Sequence, residues 1–233
     1  KHTLLIKDWL SSFLSLLFPH CCVVCGRPLA KGEECICTVC NINLPRTNYH
    51  LRKDNPVERL FWGQIPLERA TSFFFYEKGS DFRLILHRLK YGGQKEIGAI
   101  MGRYMAAELL SSNFFQGIDV IIPIPLHKKK QQIRGYNQSE WIARGIAAVT
   151  GIPIDTESIL RKKNTETQTR KSVFERRDNV EGIFELQHPE TLAGKHILIV
   201  DDVLTTGSTT LACASCLVNV EGIRISILTL ATA

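Results

Sequence analysis

The chain has 233 residues, of which 44% are hydrophobic and 22% are charged, and its net charge is +6 at pH 7. This length allows one α/β domain with a small accessory module and excludes two large domains. The composition is that of a globular protein with a packed core. The positive charge favours anionic partners such as phosphates, nucleic acids or an acidic membrane surface, although solubility alone could explain it.

The first 19 residues predict an amphipathic helix that ends at Pro19. Its apolar side chains recur at helical spacing, at Leu10, Phe13, Leu14 and Leu17. The apolar run is too short to span a bilayer, and no small-residue cleavage site follows it. We therefore expect a cytoplasmic protein without a transmembrane segment. The helix is expected to pack against the body of the protein, with binding to a membrane surface as the less favoured alternative.

A cysteine-rich module is predicted over residues 20–47, which hold six of the eight cysteines. Four of these form two C-x2-C pairs, namely Cys22, Cys25, Cys37 and Cys40. Two such pairs can complete a tetrahedron around Zn²⁺, and four thiolates leave no open position, so the metal would be structural. Disulfides or free thiols are the alternative, and Cys21 or Cys35 could replace one ligand.

The main domain is predicted over residues 67–233, after a polar linker at residues 48–66. Apolar runs at residues 70–76, 119–123, 196–200 and 224–230 predict strands, and residues 81–91, 97–111, 137–149 and 208–219 predict helices. This alternation indicates a parallel sheet with right-handed crossovers. Ligands of such sheets bind at the carboxyl ends of the strands, which here are the loops after Val200 and Pro123.

Residues 197–209 carry the main functional prediction. Four apolar residues lead to Asp201 and Asp202, and a loop of small residues then enters a helix. Backbone N–H groups and hydroxyls at a helix N-terminus favour a phosphate, and Gly207 allows close backbone approach. The two acids would repel a phosphate, so we expect them to face a vicinal diol, alone or with Mg²⁺. A phosphate beside a diol describes a ribose 5-phosphate.

This segment resembles the phosphoribosyl-pyrophosphate motif of type I phosphoribosyltransferases. The resemblance implies an α/β fold with a Rossmann-like parallel sheet flanked by helices. It also implies that the catalytic acids Asp201 and Asp202 contact the ribose hydroxyls and that the loop binds the 5′-phosphate. The binding residues of the loop would be Val203, Leu204, Thr205, Thr206, Gly207, Ser208 and Thr209.

A second string, Arg-Gly-Tyr-Asn-Gln at residues 134–138, narrows the resemblance. With Leu-Lys-Tyr at residues 89–91 and the N-terminal cysteines, it resembles the ComF/ComFC family of phosphoribosyltransferase-like competence proteins. The resemblance extends from Leu10 to the C-terminus and departs at Lys171, where an apolar residue is expected. It implies a role in DNA uptake, with single-stranded DNA and other competence proteins as partners.

The loop after the second strand is the candidate pyrophosphate site, because cationic side chains there could neutralise a leaving group of high negative charge. The candidates for this site are Lys90, Pro123, Ile124, Pro125 and Arg134. Residues 128–130 are three lysines that could also contact the pyrophosphate, but an ordinary solvated loop is slightly favoured for them. Contacts to an acceptor are assigned to Gln168 and Arg176, in a charged segment at residues 161–177.

Two functions remain open. The first is a phosphoribosyltransferase of unknown acceptor, which binds phosphoribosyl pyrophosphate with Mg²⁺ and positions it for release of pyrophosphate. The second is a non-catalytic module that binds the sugar phosphate or DNA, the latter mainly by electrostatic contacts. Since both loops are present, ligand binding with transferase chemistry is favoured. Cys213 and Cys216 are expected to be buried thiols, and His196 a packing or surface residue.

Overall fold

The computed structural model describes residues 20–162 and 182–233. The helix expected over residues 1–19, Lys171, and the acceptor candidates Gln168 and Arg176 lie outside these residues. Within the described part of the chain, none of the helices combines the length and the apolar character needed to cross a bilayer.

Helices and strands alternate through most of the described chain. The helices are α1 (Thr38–Ile42), α2 (Pro56–Arg59), α3 (Arg83–Tyr91), α4 (Glu96–Leu109), α5 (Lys128–Arg134), α6 (Gln138–Thr150) and α7 (Ser208–Ser215). The strands are β1 (Leu67–Phe75), β2 (Val120–Pro123), β3 (Ile159–Arg161), β4 (Phe184–Leu186), β5 (His196–Leu204) and β6 (Arg224–Thr232).

The central sheet has the strand order β1-β6-β5-β2, and all three pairings are parallel. A separate antiparallel pair joins β3 to β4. Strand β5 has a neighbour on each side, with Ile199 opposite Ile227 of β6 and Ile122 of β2. Burial on both faces explains why β5 begins with a nearly continuous apolar run rather than an alternating one. The predicted parallel sheet is confirmed.

Helices α4 and α6 pack on one face of the sheet with their backbones in close contact. A Cβ at Gly145 would lie 2.1 Å from the Ala99 carbonyl oxygen, and one at Gly102 would lie 2.3 Å from that of Ile142. Only glycine fits at these two positions, so the sequence itself fixes the distance between the helices. The register of α6 is therefore set with little freedom, and its N-terminus lies beside β5.

The cysteine module shares its apolar core with this face of the sheet. Cys35 and Ile36 are buried in the same cluster as Met101 of α4, and Cys35 Sγ lies 3.9 Å from Met101 Sδ. Arg46 forms an ion pair of 2.6 Å with Glu108 at the end of α4. The module is thus packed onto α4 rather than tethered beside the main domain.

Residues 48–66 differ most from expectation, since the predicted linker is folded against the sheet. Asn55 caps α2 in a capping box with Glu58, and Phe61 just beyond this helix is 0% exposed. The polar residues of this stretch suggested a solvated connection. Their role is instead to begin a short helix, because an Asn before Pro and a Glu three positions later satisfy free N–H groups at a helix start.

Three further differences from expectation concern β5, α5 and α7. Strand β5 continues to Leu204 because residues from Asp201 to Leu204 pair with the end of β6, so both acids lie within the strand. The basic residues expected to form a loop are helix α5, capped by the side chain of His127. Helix α7 ends at Ser215 rather than at residue 219.

Candidate functional site

The two acids of β5 are buried side by side near its carboxyl end. Asp201 is 8% exposed and Asp202 is 3% exposed. Asp201 Oδ1 accepts hydrogen bonds from Ser139 Oγ at 2.9 Å and from the backbone N–H of Asp202 at 2.8 Å. Burial, and then the charge of Asp202, raise the pKa of Asp201 to about 7. The protein therefore holds this carboxyl in a fixed orientation at an energetic cost to its charged form.

Asp202 is balanced mainly by Lys90, the penultimate residue of α3. Lys90 Nζ lies 3.2 Å from Asp202 Oδ2, and both side chains are largely buried. Among the described residues, this oxygen has no hydrogen bond of good geometry, so the lysine supplies charge without a well-aligned donor. A buried carboxylate oxygen left in this state is available to a ligand that brings hydroxyl donors. The sequence predicted that Lys90 binds the pyrophosphate, whereas in the structure its ammonium contacts Asp202.

The loop after β5 is open to solvent at the residues expected to bind phosphate. Thr205, Thr206 and Thr209 are exposed, and Thr206 Oγ1 lies 2.9 Å from Ser208 Oγ. Gly207 adopts a left-handed conformation with φ of 74°, which L-residues rarely adopt, and it precedes the first residue of α7. The helix N-terminus and these hydroxyls together present donors to an anion. Val203 and Leu204 belong to β5 itself.

The end of β2 forms the neighbouring wall of the site. Pro123 and Pro125 line a cavity of about 220 Å³ together with Lys128, Asn137 and Arg161. The amide nitrogen of Asn137 donates to the Ile124 carbonyl oxygen at 3.0 Å, which holds this loop against the start of α6. Of the pyrophosphate candidates, Pro123 and Pro125 face this cavity, whereas Ile124 is buried in the core.

The half-buried Arg134 and the exposed Tyr91 form a pair next to Lys90. The Arg134 guanidinium lies 5.7 Å from the centre of the Tyr91 ring, which is 73% exposed, and it also bonds the Gln138 side chain. A second aromatic ring, that of Trp141, has the Lys95 ammonium at 4.8 Å and the Arg144 guanidinium at 5.0 Å. The structure thus brings cations and aromatic rings together where the linear sequence showed no regular pattern.

The four cysteines with metal-ligand spacing converge. The Sγ atoms of Cys22, Cys25, Cys37 and Cys40 all lie within 4.8 Å of one another. Burial works against ionisation of Cys22, but hydrogen bonds from Cys25, Cys37 and Val24 lower its pKa to about 6. Burial raises the pKa of Cys40. Thiolates this close to one another repel unless a cation lies between them, so this cluster could bind zinc.

The remaining described cysteines do not belong to this group of four. Burial raises the pKa of Cys35 to about 12, and its thiol contacts Met101 rather than the cluster. Cys21 is exposed. Cys213 is fully buried in α7, as expected. Cys216, just after this helix, is half-buried, and its thiol donates to the Cys213 carbonyl oxygen at 2.9 Å.

Two residues of the site were missed by sequence reasoning. Ser139 donates to Asp201 from the first turn of α6, and its position directly after the Arg-Gly-Tyr-Asn-Gln string was the available signal. Phe61 lies against Gly207, and nothing in the linear pattern of residues 48–66 indicates this contact.

Comparison with known proteins gives consistent matches. Residues 138–233 match the family model described as the phosphoribosyl transferase domain. The DNA utilization protein YhgH of Escherichia coli O157:H7 is 32% identical over 209 residues, covering 83% of this chain and 88% of that protein. Competence protein F of Haemophilus influenzae is 31% identical over 130 residues, covering 54% of this chain and 57% of that protein.

A third relative aligns over most of the chain. Competence protein ComFC of Bacillus subtilis is 25% identical over 210 residues, covering 88% of this chain and 75% of that protein. The phosphoribosyl transferase match contains Ser139, β5 and α7, but it begins after the cysteine module and after residues 48–66.

Proposed function

The chain belongs to the ComF/ComFC family, and on this basis we propose that it binds phosphoribosyl pyrophosphate with Mg²⁺ and transfers the phosphoribosyl group. The observation that carries the proposal is the buried acid pair of β5 next to an open loop of hydroxyls and N–H groups. The spacing of acids and loop along one strand and one helix suits a ribose with its 5′-phosphate. The proposed phosphoribosyltransferase domain is residues 67–233.

The acids act on the ribose and the loop acts on its phosphate. Asp201 and Asp202 accept hydrogen bonds from the two ribose hydroxyls, as ionised carboxylates do. The hydroxyls and N–H groups of residues 205–209 donate to the 5′-phosphate. These contacts hold the donor while the bond between C1 and the pyrophosphate oxygen breaks, with the electron pair leaving on pyrophosphate. The acceptor atom then bonds to C1.

The leaving group is assigned to the wall formed by β2, with Lys90 and Arg134. Mg²⁺ that arrives with the pyrophosphate would supply positive charge to offset the charge of the leaving group. Lys90 Nζ lies 3.2 Å from Asp202 Oδ2, so a contact between Lys90 and the pyrophosphate requires this ion pair to open. Arg134 is half-buried and presents a planar guanidinium suited to paired phosphate contacts. Gln168 and Arg176 remain the proposed acceptor contacts.

Calorimetric titration with phosphoribosyl pyrophosphate, with and without Mg²⁺, tests this proposal. We expect binding that depends on Mg²⁺ and that is lost when Asp201 and Asp202 are both replaced by Asn. Release of pyrophosphate in the presence of candidate bases then identifies the acceptor. Failure of the wild-type protein to bind in either condition would contradict the sugar-phosphate assignment.

We further propose that residues 20–47 form a structural zinc ribbon, with Cys22, Cys25, Cys37 and Cys40 as ligands. Metal ligation of this kind also fits a reducing compartment such as the cytoplasm. Cys37→Ser should release the metal and lower the thermal midpoint, because the module contributes core residues packed on α4. Metal content measured by elemental analysis is the readout. Cys21 is an exposed cysteine next to a proposed ligand, so Cys21→Ser is the matched control and should retain the metal.

A second candidate function is a DNA-binding role without transfer chemistry, as part of DNA uptake with other competence proteins. It is favoured by the exposed Tyr91 ring with Arg134 and by the cations around Trp141, since aromatic rings stack on bases and cations contact phosphates. Binding of single-stranded DNA should weaken with rising salt and with Tyr91→Ala. Equal binding by the variant would exclude this surface.

A further inference from the structure

The phosphate-binding loop rests on an aromatic ring from outside the phosphoribosyl transferase match. A Cβ built on Gly207 would lie 3.3 Å from Cζ and 3.4 Å from Cε1 of Phe61. The ring therefore lies directly under the one loop residue that has a left-handed backbone conformation. Phe61 is fully buried and belongs to the same core cluster as Leu204, the last residue of β5. It packs where the strand turns into the loop.

The ring is held in place from the edge of the sheet. Of the described strands, β6 alone pairs with β1, and a separate bridge from Arg46 joins it at Phe74. The outward N–H and C=O groups of Ala70 are bound instead by side chains. The Asn55 amide donates to the Ala70 carbonyl oxygen at 2.9 Å, and Glu58 Oε1 accepts from the Ala70 N–H at 3.3 Å. Helix α2 is thereby fixed to the sheet, and Phe61 follows it by two residues.

An exposed loop of threonines has little packing of its own, and a glycine within it adds conformational freedom. The loop can hold a phosphate in one geometry only if something restricts that freedom. Val57 lies on the same segment and is nearly as buried as Phe61, but none of its atoms is among those nearest a Cβ at Gly207. Within the described chain, the closest side-chain atoms to a Cβ at Gly207 come from Phe61 and Leu60.

We propose that Phe61 is a positioning residue that fixes the backbone of residues 205–209 for phosphate binding. Phe61 then supports the sugar-phosphate site from residues 48–66, a segment that the phosphoribosyl transferase match does not include. The effect on the ligand rests on the function proposed above, whereas the effect on the loop backbone does not.

Two variants and two measurements test the inference. Phe61→Leu keeps an apolar side chain but removes the ring atoms that face Gly207, and Val57→Ala removes a comparable buried volume elsewhere on the segment. Amide ¹⁵N order parameters of Thr206 and Gly207 report the loop backbone without any ligand. In Phe61→Leu they should fall from about 0.85, typical of rigid backbone, towards about 0.6. In Val57→Ala they should stay at the wild-type value.

Titration with phosphoribosyl pyrophosphate gives the second readout. Phe61→Leu should bind about tenfold more weakly, since small misplacements of binding groups cost about this much or more, while Val57→Ala should bind as the wild type does. Unchanged order parameters in Phe61→Leu, an equal fall in both variants, or unchanged affinity despite a loosened loop would each overturn the inference. If the wild type does not bind, the proposed function fails, and the order parameters alone decide the inference.

Discussion

The two ends of β5 both bury polar side chains, yet they differ in how those side chains are satisfied. At the amino end, His196 Nε2 lies 2.8 Å from Ser226 Oγ and Nδ1 lies 3.1 Å from the Gly117 carbonyl oxygen. The backbone N–H of His196 donates to Asp119 Oδ2 at 2.8 Å. At the carboxyl end, the described residues offer Asp202 Oδ2 the Lys90 ammonium at 3.2 Å and no well-aligned donor.

This difference separates a structural polar network from the proposed binding site. A buried polar group with all its partners in the protein specifies the fold and needs nothing from solution. A buried carboxylate that lacks donors destabilises the fold unless a ligand supplies them. The raised pKa of Asp201 expresses the same cost. We therefore expect changes at the amino end to alter stability and changes at the carboxyl end to alter ligand affinity.

The largest effect is expected from replacing both acids. Asp201→Asn with Asp202→Asn should weaken phosphoribosyl pyrophosphate binding about 100-fold, or about 2.7 kcal/mol, because hydrogen bonds to charged groups contribute about 1.5–3 kcal/mol. The thermal midpoint should change little, since neutral amides remove the cost of burying carboxylate charge but also remove the acid partner of Lys90. Calorimetry measures the first effect and thermal unfolding the second.

Asp119→Asn is the matched control for this variant at the opposite end of the strand. Its carboxylate accepts from the backbone N–H of His196, so this substitution should lower stability and leave affinity unchanged. A double Asn variant that binds with wild-type affinity would remove the assignment of the diol to these acids.

The next effect concerns stability at the amino end. His196→Leu should lower the free energy of unfolding by about 1–3 kcal/mol, because Ser226 and the Gly117 carbonyl would be left buried without a partner. Affinity for phosphoribosyl pyrophosphate should not change. Urea denaturation and calorimetry on the same preparation check both statements, and a loss of affinity at constant stability would break the proposed division of the strand.

The contrast also explains what the sequence could reveal. The apolar run of β5, the adjacent acids and Gly207 all lie within 13 consecutive residues, 197–209, so local periodicity and spacing predicted this strand, loop and helix. The same holds for the paired cysteines. Ser139 and Phe61 could not be assigned in this way, because their contacts with Asp201 and Gly207 depend on how distant segments pack.

Residues 48–66 show the limit of composition as a guide. A high content of polar residues is typical of linkers. Here, however, Asn55 and Glu58 cap a helix and form hydrogen bonds with the edge of β1. The extension of β5 to Leu204 was missed for a related reason. Two acids in a row favour a loop by propensity, but pairing with β6 outweighs that preference.

A smaller effect should follow from Ser139→Ala. Loss of one hydrogen bond to Asp201 should weaken ligand binding about fivefold, or about 1 kcal/mol. Ser158 offers a matched control because it is also buried and its hydroxyl donates to a carboxylate, that of Asp155, which belongs to a different network. Ser158→Ala should leave affinity unchanged. Equal losses in the two variants would show that Ser139 acts through general stability rather than through Asp201.

The smallest expected effect is a pH dependence of stability from His196. Burial, and then the positive charge of Arg69, lower the pKa of His196 in the folded protein below the value of about 6.5 found in unfolded chains. The unfolded state therefore binds the proton more readily, so this residue's contribution to stability is complete above about pH 6.5 and declines as the pH falls through the folded pKa. Asp201, whose pKa is raised, changes stability in the opposite sense, and only a difference between variants isolates the histidine.

Wild type should lose more stability than His196→Leu between pH 7.5 and about pH 5.5 in urea denaturation, because leucine does not titrate. Parallel losses in the two proteins would mean that His196 binds a proton as readily in the folded state as in the unfolded state, which would contradict its burial beside Ser226 and Gly117 as the cause of a lowered pKa.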